Sequence, residues 1–201
     1  MAAHGLSPKQ KIFYAAIDCF SGKSYSECTM DMIAGKIGVT AASIYNHYKS
    51  KDAILQNIFD YYTVHFNRHR IPMDEIIRAA ENKPIREIIP MLFLSFGSNE
   101  DAEVMTKITR IINNLKLENI EATRIYKICF YHEPHEYFTA VLRKLVDLGR
   151  IAPIDIETYS FLLLSLANNT LTAMQIFPDN AEEYNAMRET GAELLAKIAE
   201  I

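Results

Sequence analysis

With 49% hydrophobic and 23% charged residues, the 201-residue chain has enough apolar material for one domain core or two small ones. No apolar run reaches the ~18 residues a membrane-crossing helix needs, and the opening MAAHGLSPKQK lacks the apolar centre of an export signal, so a cytoplasmic protein without a membrane partner is expected. The net charge of −4 is unevenly spread: residues 1–70 carry eight Lys or Arg against five Asp or Glu, and residues 71–201 carry 13 against 20, which places any polyanionic partner at the N-terminal end.

Ser7, Pro8 and Gln10 form a capping box with proline in the first helical turn, and Ile12, Phe13, Ala16, Ile17 and Phe20 follow at helical spacing. Thr29 is suited to cap a second helix, with Asp31 in its first turn and an apolar face of Met30, Ile33, Ala34 and Ile37. Gly38 stops that helix, and Thr40 can cap a third from Ala41 to Tyr48. Ile44 and Tyr48 would face inward with Ile33, Ile37 and Val39, completing a three-helix head. Thr40, Ala41, Ala42, Ser43, Tyr45, Asn46 and His47 lie on the other faces and at the ends. Small, hydrogen-bonding and aromatic groups of this kind suit base edges and phosphates in a major groove, although a plain surface helix would carry similar side chains. Ser50 caps a fourth helix running from Lys51 to about His69, and Lys49 and Lys51 beside its start are candidate phosphate contacts, as is Thr29.

Phe20, Tyr25, Thr29, Ile33, Ala34, Gly38, Val39, Thr40, Ile44, Tyr45, His47, Tyr48, Lys49 and Lys51 together resemble the helix-turn-helix signature of the tetracycline-repressor (TetR) family of bacterial transcriptional regulators. The resemblance covers about residues 7–58. Ser24, Ile37, Ala42 and Asn46 depart from the usual pattern, and Ala42 and Asn46 are the two that bear on which operator would be read. The family implies an all-α protein with a DNA-binding domain at 1–50 and a helical effector-binding and dimerisation domain at 51–201. It also implies a homodimer on a palindromic double-stranded operator, released by a small molecule.

Beyond residue 72 the pattern gives helices at about 73–81, 84–97, 101–116, 119–131, 134–149, 155–177 and 181–199, with a kink at Pro90. The last two are apolar over much of their girth and need covering. Leu162, Leu166, Asn169, Leu194 and Ile198 are the candidate dimer contacts, which the family resemblance assigns to these two helices. Tyr62, Phe66, Phe93, Phe96, Tyr126, Phe130, Tyr137 and Phe161 are candidates for a pocket around a lipophilic or aromatic effector, although an aromatic stripe of this kind is more often plain core.

Cys129, His132, Glu133, His135 and Glu136 invite a metal reading, but Pro134 interrupts the helix that would align them and their spacing is not HExxH, so no metal or other cofactor is expected. The odd count of three cysteines without a CxxC pair points to reduced, packed thiols. Neither GxSxG nor a phosphate-cradling glycine loop is present, so an enzyme is not expected. The competing reading is a helical lipid or small-molecule binder that does not select a DNA sequence.

Overall fold

The computed structural model describes residues 5–66, 70–94 and 102–199, and every regular element among them is helical. The N-terminal elements are α1 (Pro8–Gly22), α2 (Met30–Ile37), α3 (Ala41–Tyr45) and α4 (Lys51–Phe66). They are followed by α5 (Met73–Asn82), α6 (Ile85–Leu94), α7 (Ala102–Leu115) and α8 (Ile120–Lys127). A π-turn at Ile128–His132 leads into α9 (Glu133–Asp147), and α10 (Ile156–Ile176) and α11 (Ala181–Ala199) complete the chain. The expected ends of the fourth helix at His69 and of the sixth at residue 97 lie outside the described residues.

Packing divides the chain into two compact units: Met1–Asn67 with Glu100–Tyr126, and Arg68–Asn99 with Lys127–Ile201. The first unit is built on α1, which packs against α2, α4 and α7. Its core gathers Ile12, Ala16, Ile17, Phe20, Ile33, Ile44, Ile54 and Ile58, all nearly inaccessible. Ile108, Ile111 and Ile112 of α7 are buried as well. Two polar ties join these helices: Lys107 Nζ reaches Asp18 Oδ1 of α1 at 2.7 Å, and the hydroxyls of Tyr62 and Thr109 lie 3.2 Å apart. The packed unit thus extends beyond the DNA-binding domain expected at 1–50, because α4 and α7 are bound into the same core.

Three sequence expectations are corrected here. Val39, expected in the head core, is 42% exposed because it stands in the turn rather than on either helix. The third helix stops at Tyr45 instead of Tyr48, where the His47 N–H closes a tighter three-residue turn onto the Ile44 carbonyl at 2.8 Å, a carbonyl it shares with the Tyr48 N–H at 3.0 Å. Cys19 and Cys28, expected as reduced thiols, are joined as a disulfide: packing of α1 on α2 brings their Cα atoms to 6.2 Å. Cys129 is a buried thiol outside that bridge.

The second unit packs α5, α6, α9, α10 and α11 around Ile76, Ile88, Ile89, Leu92, Phe138, Leu142, Leu145 and Leu163. The break expected before Pro134 does not occur. Proline has no N–H for the Phe130 carbonyl four residues earlier, yet the backbone stays helical by widening into the π-turn, in which Glu133 N–H bonds to the Ile128 carbonyl. The Phe130 carbonyl instead accepts from Asn168 Nδ2 of α10 at 2.9 Å. A side chain from a neighbouring helix therefore supplies the donor that the proline lacks.

Tyr159 of α10 is buried in this core, and its hydroxyl finds no hydrogen-bond partner among the described residues. Burial pushes its phenol up from 10.0 to about 12. Burial likewise raises Tyr137 to about 12, with the Arg70 guanidinium opposing. Folding thus favours the neutral phenols, a stabilisation complete below their ordinary pKa and lost as pH climbs through about 12. Because an unpartnered buried hydroxyl costs roughly 1–3 kcal/mol, Tyr159→Phe is expected to raise stability by about 1 kcal/mol at neutral pH and to delay alkaline unfolding. Denaturant titrations at pH 7 and pH 11 check both, and a destabilised variant at pH 7 would contradict the assignment.

Candidate nucleic-acid interface

The interface begins with two caps and a turn. Thr29 Oγ1 accepts the Met32 N–H at 3.2 Å and starts α2. At the other end of α2, Gly38 takes φ 69° and ψ 33°, a left-handed backbone that a side chain would strain. In that geometry the Gly38 and Val39 N–H groups close onto the Gly35 and Ala34 carbonyls at 3.4 and 3.1 Å. Two residues on, Thr40 Oγ1 accepts the Ser43 N–H at 3.3 Å and launches α3 at a new angle.

Ile44 and Tyr48 anchor α3 from behind. Ile44 is inaccessible, and Tyr48 is 5% exposed with its hydroxyl donating to Asn57 Oδ1 of α4 at 2.7 Å. Burial raises the Tyr48 phenol above its usual range, so it remains a neutral donor. With those two side chains fixed, Thr40, Ala42, Tyr45, Asn46, His47 and Lys49 are exposed, and Ala41 and Ser43 are half-buried. Tyr45 is a large aromatic group left 53% exposed. Thr29 is exposed beside them, with its hydroxyl already engaged in the cap.

Lys51 is placed differently from Lys49. Its ammonium donates to the backbone carbonyls of Tyr25 and Cys28 at 2.8 and 2.9 Å and lies 4.2 Å from the centre of the Tyr25 ring. The Tyr25 hydroxyl in turn donates to Asp52 Oδ1 at 2.5 Å, and burial together with that carboxylate drives the phenol well above its ordinary range. The first turn of α4 thus grips the segment between α1 and α2. Nothing in the sequence signalled this brace, because its partners lie 26 and 27 positions apart. Lys9, whose ammonium lies 5.4 Å from the Tyr48 ring centre, likewise had no signal in the sequence.

The effector candidates among the described residues belong to both units. Tyr62 is buried and Phe66 half-buried in the first unit, with ring centres 5.5 Å apart, and half-buried Tyr126 in the same unit carries Lys116 over its ring at 4.2 Å. In the second unit Phe130 is buried, and Tyr137 donates its hydroxyl to the Ile71 carbonyl at 3.1 Å. Phe161, by contrast, is 56% exposed on α10. Phe96 and the Phe93 side chain lie outside the described residues. No group of three or more His, Cys, Asp or Glu side chains able to hold a metal occurs among the described residues.

Of the dimer candidates, Leu162, Asn169 and Leu194 are exposed, and with Phe161, Ile176 and Met187 they give α10 and α11 an apolar outer face. Leu166 is partly buried instead, because its methyl groups lie 3.2 Å from where a Cβ on Gly191 of α11 would stand. The Ile198 side chain lies outside the described residues.

Residues 12–58 match the family described as bacterial regulatory proteins, tetR family. The chain is similar to two curated helix-turn-helix regulators. One is YerO of Bacillus subtilis, 25% identical over 105 residues that make up 52% of this chain and 36% of that protein. The other is SrpR of Pseudomonas putida, 37% identical over 57 residues, 28% of this chain and 27% of that one. The matched stretch thus spans well under half the length of these relatives. Three solved structures share the fold at 12–18% identity. A transcriptional regulator from Rhodococcus aligns over 96% of each chain with a TM-score of 0.63. The SmeT–triclosan complex covers 95% of this chain and 88% of that one at 0.59. FadR of Bacillus subtilis with stearoyl-CoA covers 93% and 97% at 0.60.

Gly38→Ala would have to hold a side chain in left-handed backbone, and Thr40→Ala would leave the first N–H groups of α3 uncapped. Each is expected to lower stability by about 1 kcal/mol. Thermal unfolding of the two variants measures this, and an unchanged midpoint for Gly38→Ala would refute a turn-setting role for that glycine.

Proposed function

Because the chain belongs to the TetR family of bacterial regulatory proteins, whose members regulate transcription and are not enzymes, we propose that it is a homodimeric repressor of a palindromic operator. The observation that carries this reading is the exposed row Ala42, Tyr45, Asn46, His47 and Lys49 on a segment whose opposite side is locked by Ile44 and Tyr48. In a major groove, Tyr45 and Lys49 would meet phosphates, with Thr29 and the Thr40 end of α3 beside them. Ala42 and Asn46 would face base edges, where a methyl contact to thymine and an amide pair to adenine are the matching chemistries. Lys51 acts through the segment it holds, setting the position of α2, rather than as a free cation.

The second protomer would seat against the outer face of α10 and α11, covering Leu162, Leu194 and the neighbouring apolar groups. The effector would be a lipophilic or aromatic small molecule. The dense aromatic side chains of the helical part support that class, and triclosan and stearoyl-CoA in two proteins of the same fold accord with it. Linkage requires such a molecule to bind the DNA-incompetent state more tightly than the competent one.

Gel-shift titration against the DNA flanking the protein's own gene tests the first part. Affinity is expected to fall with added salt at a slope of about −0.9 per phosphate contact. Tyr45→Ala and Lys49→Ala should each weaken binding to all duplexes by roughly 1–3 kcal/mol, whereas Asn46→Ala should also change the ranking of sequences. No preference for any duplex over random competitor would leave the small-molecule binder as the better account. For the assembly, Leu162→Glu and Leu194→Glu are expected to yield monomers in light scattering, and a persisting dimer would refute the face chosen.

A further inference from the structure

We propose that Cys19 and Cys28 are a reversible thiol–disulfide pair, a modification site for hydroperoxides, whose oxidation stiffens the junction between α1 and α2. The two cysteines sit at opposite sides of that junction: Cys19 in the last turn of α1, Cys28 directly before the Thr29 cap of α2. They are bonded to each other and nine positions apart in sequence. The peptide between them has no regular structure after Gly22, and Lys23, Ser24, Ser26 and Glu27 are exposed. Both sulfurs belong to buried residues, so a reagent reaches them only when the 23–28 segment opens locally and releases the Lys51 bonds to its carbonyls.

The step begins with Cys28 as the thiolate, and Cys19, its partner in the bond, resolves it. That thiolate attacks an oxygen of the hydroperoxide, the O–O bond breaks, and the departing alkoxide takes a proton to leave as an alcohol. The resulting sulfenic acid is then displaced by the Cys19 sulfur: the S–S bond forms, the S–O bond breaks, and the oxygen leaves as water with the Cys19 proton. Two thiols and one hydroperoxide thereby give one disulfide, one alcohol and one water, with two electrons passing from sulfur to the peroxide. An added small dithiol reverses the change by exchange.

The oxidised form ties the 23–28 segment at both ends. Lys51 holds the carbonyls of Tyr25 and Cys28, and the disulfide fixes Cys28 to α1, so Thr29 and the start of α2 cannot swing away. In the dithiol form the Lys51 brace acts alone. Because the pair lies within the head, the inference stands apart from whether duplex binding is found.

The test uses the full chain, treated either with hydrogen peroxide or with dithiothreitol, and read by non-reducing peptide mapping and amide hydrogen exchange. Peroxide is expected to link the peptides holding Cys19 and Cys28, leave Cys129 alkylatable after denaturation, and slow exchange in α2 roughly tenfold or more, with dithiothreitol undoing both. The Cys19→Ala/Cys28→Ala double variant should exchange like the dithiol form and ignore peroxide. Should that variant fail to fold, the comparison of the two wild-type forms still decides. Absence of the link, a link through Cys129, or equal exchange in linked and reduced protein would overturn the proposal.

Discussion

The left-handed backbone at Gly38 is the constraint from which the geometry of the head follows. A helix that simply continued past Ile37 would carry the next residues around the same axis. The change of sign at one φ instead closes two N–H groups back onto α2 and releases Thr40 to begin a helix in another direction. That redirection lets Ile44 drop into the core while Tyr45, one residue later, stays outside. A segment of five helical residues has too few internal hydrogen bonds to persist alone, so α3 exists because Gly38, the Thr40 cap and two buried anchors define it from outside.

A similar dependence on outside groups recurs in the second unit. Pro134 ought to break the helix it lies in, and the cost falls on one carbonyl, that of Phe130. Asn168, on a helix 38 residues away in sequence, takes that carbonyl, and the π-turn absorbs the remaining mismatch. Thus α9 is attached to α10 by a polar bond as well as by packing, and the Ser160 hydroxyl adds a second tie by accepting from Thr139 and donating to the His135 carbonyl.

These cases mark what was legible in the chain. Caps, turns and inward faces are local, and Ser7, Thr29, Gly38, Thr40, Ile44 and Tyr48 all stand in the roles that their neighbours within four positions predict. The exposed row on α3 and the residues just after it was legible for the same reason, since it is what remains once the inward positions are assigned. Features needing a distant partner were not. The Lys51 brace, the Cys19–Cys28 bond and the Asn168 bond each join residues whose spacing carries no periodic signal. Helix lengths failed in both directions on similar grounds: α3 ended early because a competing turn captured the Ile44 carbonyl, and the 128–132 segment stayed helical because another helix repaired it.

Lys49 and Lys51 show how far this distinction reaches into function. From sequence they are alike, two cations at the start of α4. The ammonium of Lys51, though, has two carbonyls and an aromatic face around it, and pulling it toward a phosphate would break bonds that hold the α1–α2 segment. Lys49 is exposed beside Tyr45 and is the one whose charge is available to a polyanion. A basic head therefore divides its cations between building the surface and presenting charge on it. Which task each performs is set by the carbonyls within reach, so a tally of Lys and Arg locates the partner's side of the molecule without identifying the contacts.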